Sequence, residues 1–399
     1  MRLPGGLAMP SGENRRCVMI VAGEASGDMH GAKLAEALRT HNQRLDLIGV
    51  GGKRMQAAGV TVAVDAHRLA VVGITEVFAK LPRILEGMRT AKRLIAEKHP
   101  DLLILIDFPD FNLRLAAFAK KQSVPVLYYI SPQIWAWRQG RVRQIKRIVD
   151  HMAVILPFEE AFYRRQGVPV TFVGHPLMDQ YDAPPARADR VADRVGTIAL
   201  LPGSRDSEVA KLLPLMLSAA ALIRRRRPVR FLLSQAPSVS PALIEQLTAA
   251  AEADVTVFKG PTGQLLEQSE FVITKSGTST LEAALHGTPM IIVYKVSPLS
   301  YRLGKALIRV PHIGLVNLIA GRRVAPELIQ HEASPTAVAH EVLALMDDPA
   351  RLAGMREALA EVARRLGNAG ASHKVAAVAW DLMAGDSAVR RVHRRGGSA

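Results

Sequence analysis

Two glycine-bearing turns in the second half of the chain have the composition of an anion site. The first lies in Phe271-Val-Ile-Thr-Lys-Ser-Gly-Thr-Ser-Thr-Leu-Glu-Ala-Ala-Leu-His-Gly-Thr-Pro-Met290. An apolar run ends at Thr274, Ser276-Gly277-Thr278 turns the chain, and a helix is predicted from Ser279. Gly277 lets backbone N–H groups come close to a ligand, and a helix N-terminus favours a phosphate. Glu282 falls in the first helical turn, where a carboxylate can accept hydrogen bonds from two ribose hydroxyls. The same residues also suit ordinary capping, with Glu282 balancing the helix dipole. The second turn is Ala199-Leu-Leu-Pro-Gly-Ser-Arg-Asp-Ser-Glu208. Arg205 stands at a helix start, where its charge opposes the dipole, and its fork of donors matches a diphosphate.

The first half offers carboxylates. In Ile104-Leu-Ile-Asp-Phe-Pro-Asp-Phe-Asn112, Asp107 ends a wholly apolar run, and Asp110 is expected to cap the following helix. A carboxylate at the end of a buried strand is costly unless used or paired. Burial raises its pKa and suits it to act as a general base on a hydroxyl. Glu24, Ser26 and Asp28 follow the apolar run Val18–Ala22 in a turn that also holds Gly23, Gly27 and Gly31. That spacing is wrong for G-x-G-x-x-G, which disfavours a dinucleotide oxidoreductase. These three side chains either line a cleft or cap a helix. The D-x-x-D spacing at Asp107 and Asp110 is not the D-x-D of metal-dependent transferases, and no His/Asp/Glu set has metal-ligand spacing, so no metal and no cofactor is expected. Gln133 sits in the aromatic and basic stretch Tyr128–Arg143, which suits aromatic packing under a loop, an interdomain loop, a nucleic acid or a membrane interface.

Apolar runs must position these groups. Cys17–Ala22, Leu45–Val50, Leu102–Ile106, Val126–Ile130 and Met152–Ile155 are predicted strands, with helices between them such as Met29–Thr40. The Pro- and Ala-rich stretch Tyr181–Arg187 reads as a linker. The pattern then restarts with strands at Thr197–Leu201, Arg230–Leu233, Val255–Phe258, Phe271–Thr274 and Met290–Val293. Alternation of this kind predicts α/β architecture, two doubly wound parallel sheets in tandem with a cleft between them. The expected bounds are residues 17–178 for the first domain, 195–345 for the second and 346–385 for helices that pack back on the first domain or on a partner chain. Residues 1–16 and 386–399 are expected to be disordered.

The chain has 399 residues, 49% of them hydrophobic, and a formal net charge of +16. Such an excess favours phosphates, whether in nucleic acid or on anionic lipid heads. The single cysteine, Cys17, excludes an internal disulfide and a cysteine metal cluster. No apolar stretch reaches the ~20 residues of a membrane-spanning helix, and Val18–Ala22 reads as a first strand rather than a signal peptide, so a cytoplasmic location is expected. Leu69–Leu85 suits either a core helix or an apolar surface that receives acyl chains.

In order along the chain, Gly23–Asp28, Val72–Val77, Ile106–Asn112, Ser131–Arg138, Leu156–Glu159, Gly174–Pro176, Leu201–Arg205, Ser276–Thr278 and Asn317–Arg322 together resemble the lipid-A-disaccharide synthase family of glycosyltransferases. The resemblance implies a GT-B fold, two Rossmann-like domains facing across a cleft. It implies UDP-2,3-diacylglucosamine as donor, 2,3-diacylglucosamine 1-phosphate as acceptor, and a β-1,6-linked disaccharide 1-phosphate and UDP as products. In that reading Asp107 is the base, Arg205 and Ser276–Ser279 hold the diphosphate, Glu282 the ribose, and Asn317 completes the uridine or phosphate contacts. Glu24, Ser26, Asp28 and Gln133 line the acceptor side. It further implies a peripheral position on the anionic inner face of the inner membrane, no nucleic-acid partner, and room for a homodimer. The donor half alone also suits another UDP-N-acetylglucosamine enzyme, a peptidoglycan transferase or a 2-epimerase, and the charge alone suits a basic nucleic-acid-binding protein.

Overall fold

A computed structural model describes residues 16–66, 74–180, 196–308 and 310–395. The readings placed on residues 1–15, on 69–73 of the apolar stretch, on the linker at 181–187 and on 396–399 lie outside the described residues. The described chain forms two compact units. One takes in the chain up to Ile134, Gln139–Pro176 and the chain from Gly370, and the other Trp135–Arg138 and Leu177–Ala369.

The first unit runs β1 (Cys17–Ala22), α1 (Ala25–His41), β2 (Asp46–Gly51), α2 (Lys53–Ala57), β3 (Thr61–Asp65), α3 (Ile74–Lys98), β4 (Leu102–Ile106), α4 (Pro109–Lys121), β5 (Val126–Tyr129), α5 (Val142–Ile148), β6 (His151–Val154), α6 (Pro157–Arg165) and β7 (Val170–Phe172). Its seven strands are all parallel, in the order β3-β2-β1-β4-β5-β6-β7. Alternate residues of each central strand feed opposite cores, as a pleated strand requires. Met19, Val21, Leu103 and Leu105 join one cluster, and Val18, Ile20, Leu102 and Ile104 the other.

The second unit runs β8 (Gly196–Leu201), α7 (Asp206–Arg224), β9 (Val229–Ser234), α8 (Pro241–Ala249), β10 (Thr256–Phe258), α9 (Thr262–Glu267), β11 (Phe271–Lys275), α10 (Ser279–Leu285), β12 (Met290–Tyr294), α11 (Pro298–Leu307), α12 (Leu315–Ala320), β13 (Glu327–Ile329), α13 (Pro335–Met346) and α14 (Pro349–Arg365). Its six strands are also all parallel, in the order β10-β9-β8-β11-β12-β13. The last helix, α15 (Ala371–Arg395), returns to the first unit, where Val375, Ala376, Ala379 and Met383 pack with Leu34 and Leu38 of α1. Its backbone is helical to Arg395, although polar composition predicts disorder from residue 386; Ala and Arg are good helix formers and extend a helix already nucleated on the core.

Two further expectations are corrected. Asp110 does not cap α4: Phe108 is the N-cap, Pro109 opens the helix, and the Asp110 carboxylate accepts a hydrogen bond from Arg141 at 2.8 Å. Asp28 does not line a cleft. It is buried, and its carboxylate accepts the N–H groups of Gly52 at 2.7 Å, Arg54 at 3.1 Å and Met55 at 3.0 Å. It caps the N-terminus of a neighbouring helix, α2. A Cβ on Gly52 would lie 2.6 Å from an Asp28 oxygen, so only glycine admits the approach. Asp28→Ala is expected to cost about 2 kcal/mol of stability by stranding these donors; urea denaturation checks it, and an unchanged midpoint would remove the capping role.

Candidate active site

Both sheets reverse their strand order between two neighbouring strands, β1 and β4 in the first unit, β8 and β11 in the second. Helices leave to opposite sides there, and a crevice opens beyond the carboxyl ends of the strands. In register, Ala22 lies beside Ile106 and Leu201 beside Thr274. The residues that follow these positions are the ones singled out by type and spacing.

In the first unit, Asp107 and Phe108 both adopt left-handed backbone, φ 47° and 48°. Each costs a non-glycine residue about 1 kcal/mol or more, so the surroundings must enforce them. The Asp107 carbonyl accepts Tyr128 Oη–H at 2.6 Å and Asn112 Nδ2–H at 2.7 Å, and its N–H donates to the Tyr129 carbonyl at 3.1 Å. Asn112, fully buried, also donates to the Ile106 carbonyl at 3.2 Å. A Cβ on Gly23 would fall 2.2 Å from the Phe108 ring, so that glycine is the floor on which the ring rests. Burial, and next the charge of nearby Glu24, push the Asp107 carboxyl up to about 6, against a weaker opposing hydrogen bond from the Phe108 N–H. Glu24 is the N-cap position of α1 and half-buried, Ser26 is exposed in its first turn, and Gln133 is exposed after β5. The structure therefore brings Glu24 to Asp107 and leaves Asp28 to a structural task.

In the second unit, the turn after β8 is held from several sides. Gly203 has φ 130°, and a Cβ there would meet a Glu208 oxygen at 2.4 Å. The Ser204 N–H donates to Glu208 at 3.2 Å, and its carbonyl accepts Ser238 Oγ–H at 2.6 Å. Arg205 is the N-cap of α7, its side chain over half exposed, with its guanidinium 3.8 Å from Glu208. After β11, the Ser276 hydroxyl donates to the Ile313 carbonyl at 2.7 Å, and Ser279 Oγ lies 2.8 Å from Thr274 Oγ1. Thr278 is the N-cap of α10. Nothing stands within 4 Å of where a Cβ on Gly277 would be, so this face of the turn is open. Glu282 is largely buried, which pushes its carboxyl up to about 7.

Asn317 is a correction. It is fully buried in α12, and all four of its amide hydrogen-bonding positions are filled: Nδ2 donates to Ala325 O and Glu327 Oε1, each at 2.8 Å, while Oδ1 accepts Val324 N–H at 2.7 Å and Ala325 N–H at 2.9 Å. No polar atom of its side chain is left for a nucleotide. Glu327 in turn accepts the N–H groups of Ile313 and Gly314, so Asn317 braces the segment that anchors Ser276. Sequence reasoning gave no role to Glu208 or to Lys275, whose Nζ donates to Glu208 at 2.9 Å. A glutamate three residues after a helix N-cap was the available signal, since such a side chain reaches back to N–H groups before the helix.

A sequence model of the family described as lipid-A-disaccharide synthetase matches residues 18–379. The chain belongs to this family. The lipid-A-disaccharide synthase of Geobacter sulfurreducens is 49% identical over 375 residues, covering 92% of this chain and 97% of that protein. That of Syntrophus aciditrophicus is 48% identical over 377 residues, covering 93% and 98%. Among solved structures, the calicheamicin glycosyltransferase CalG4 superposes with a TM-score of 0.58 at 16% identity, covering 93% of this chain and 99% of that one. The fold is GT-B and the chain is a glycosyltransferase, which separates it from the basic nucleic-acid-binding proteins that its charge alone would also suit.

For this synthetase-family chain the Asp107 environment has a consequence for stability. A carboxyl raised from 3.8 to about 6 on folding opposes the native state once ionised. The penalty is absent below pH ~4, grows between ~4 and ~6 and is complete above. After discounting for solvent screening, Asp107→Asn is expected to gain about 1–2 kcal/mol at pH 7.5 and nothing at pH 4. Thermal unfolding at the two pH values checks it; equal shifts at both would show that the carboxyl is not raised.

Proposed function

We propose that the chain transfers the diacylglucosaminyl group of UDP-2,3-diacylglucosamine to the 6-hydroxyl of 2,3-diacylglucosamine 1-phosphate. The products are the β-1,6-linked disaccharide 1-phosphate and UDP, formed with inversion and without a metal ion. Asp107 takes the proton of the acceptor hydroxyl as its oxygen attacks the anomeric carbon. The bond from that carbon to the diphosphate breaks, and UDP leaves with the electron pair. Arg205 and the Ser276–Ser279 turn hold the diphosphate, and Glu282 the ribose. Glu24 and Gln133 serve the acceptor.

The observation that carries the chemistry is Asp107 itself, a carboxyl held in left-handed backbone at a strand-order reversal and raised to about 6. A base near neutrality combines a useful ionised fraction with affinity for the proton. The substrates follow from the family, whose curated relatives carry the synthase name over nearly the whole chain. Asp107→Asn is expected to abolish transfer and leave UDP affinity intact, and wild-type kcat/KM to fall as the pH drops through about 6. Disaccharide formation by mass spectrometry and UDP titration check both; loss of UDP binding would make Asp107 a structural residue.

We also propose that the chain works at the inner face of the inner membrane as a peripheral protein. No helix among the described residues is long and apolar enough to cross a membrane. Leu81 and Leu85 of α3, and Leu307 and Ile308 at the end of α11, are exposed, with Arg83 and Lys305 in the same segments. Apolar side chains beside cations suit an anionic lipid surface. Flotation with phosphatidylglycerol vesicles is expected to carry the protein, less so in high salt; equal binding to neutral vesicles would remove the charge contribution.

A further inference from the structure

Lys275 is the last residue of β11, a strand paired on both sides between β8 and β12. An ammonium at the end of an interior strand is costly without a counter-charge. Its partner is Glu208 from the first turn of α7, with Nζ 2.9 Å from Oε1. The same Oε1 lies 3.8 Å from the Arg205 guanidinium, while Oε2 accepts the Ser204 N–H at 3.2 Å. Two cations therefore draw on one carboxylate oxygen, and Arg205 stands beyond hydrogen-bonding distance of it. The cluster carries one positive charge more than its own carboxylate neutralises. Glu208 also acts across the turn, since Tyr294 at the end of β12 has its phenol pushed up by burial and then by the Glu208 charge. Lys275 directly precedes Ser276-Gly277-Thr278, and Glu208 sits under Gly203 and Ser204. The ion pair thus joins the two turns at the strand-order reversal of this unit.

We infer that Lys275 is a further donor-binding residue: its ammonium contacts the diphosphate of the nucleotide sugar, and Glu208 is the positioning residue that holds it in the empty site and gives it up to the donor. This rests on the donor-site reading above. A nucleoside diphosphate brings at least two negative charges to a site whose free surplus is one. Two cations that share a carboxylate oxygen can redistribute, Arg205 and Lys275 both turning to phosphate oxygens while Oε2 keeps the Ser204 turn in shape. Charge-assisted contacts of this kind are strong, and they strengthen as the leaving diphosphate gains charge.

The two members of the pair should shift UDP affinity in opposite directions, which a purely structural ion pair would not do. UDP binding to the full chain is measured by calorimetry at pH 7.5, with donor KM and kcat beside it. Lys275→Met is expected to raise the UDP Kd about tenfold or more and the donor KM with it, and Lys275→Arg to restore much of the affinity. Glu208→Gln keeps an acceptor for the Ser204 N–H and removes the competing charge, so it is expected to bind UDP more tightly than wild type, with stronger product inhibition. Unchanged affinity in Lys275→Met, or equal weakening in Lys275→Met and Glu208→Gln, would overturn the inference. Arg205→Ala serves as the reference for the site: weakened binding there with no change in Lys275→Met removes only the inference, whereas unchanged binding in Arg205→Ala, or a wild-type chain that does not bind UDP, overturns the donor-site reading and the inference with it.

Discussion

Everything chemical in this chain depends on the way a parallel sheet must be wound. Strands that all point one way need crossover helices, and when winding proceeds outward in both directions from the centre, the first helices on each side diverge. The gap they leave lies beyond the ends of two adjacent strands. In this chain it falls after β1 and β4, and again after β8 and β11. Turns at those four strand ends carry Glu24, Asp107, Arg205 and Ser276–Thr278. The sheet supplies rigid strand ends, and the turns supply backbone that can adopt unusual angles, as at Asp107, Phe108 and Gly203.

The buried carboxylates divide according to what surrounds them. Asp28 and Glu327 each accept hydrogen bonds from several backbone N–H groups, and both hold a neighbouring segment in place. Glu208 is split between a cation and a turn. Asp107 and Glu282 have much less support, and burial pushes both toward neutrality. A carboxylate satisfied by donors serves structure. One left short of donors keeps the capacity to bind a proton or a hydroxyl, and Asp107 and Glu282 are of this second kind.

Much of this was legible in the residues. Continuous apolar runs such as Leu102–Ile106 and Val126–Tyr129 are buried throughout and form interior strands, whereas the mixed run Val255–Phe258 forms the edge strand β10. Strands β3, β7 and β13, outside the predicted runs, lie at sheet edges and are only partly buried, so none of them carries a long apolar run. The positions of Asp107 and Arg205 followed from strand ends and turn chemistry. The roles of Asp28 and Asn317 did not, because their partners lie elsewhere in sequence: Asp28 binds residues more than twenty positions away, and Asn317 is saturated by the chain that follows it. Residue type alone does not tell a polar side chain that reaches a ligand from one whose every donor and acceptor is already used. The Glu208–Lys275 pair spans 67 residues and needed the sheet register to bring it together.

The return of α15 to the first unit has a consequence for how the chain is made. Val375, Ala376, Ala379 and Met383 complete one of the two cores flanking the first sheet, and the whole second unit is interposed before them. On a ribosome, the second unit has all its strands and helices before α15 emerges. The earlier-made unit must wait, with the apolar sides of α1 and β4 that α15 packs against uncovered, until the later one has been synthesised. The order of synthesis and the order of completion are thus reversed, and loss of α15 would expose the unit that bears Asp107 without removing any residue of its site.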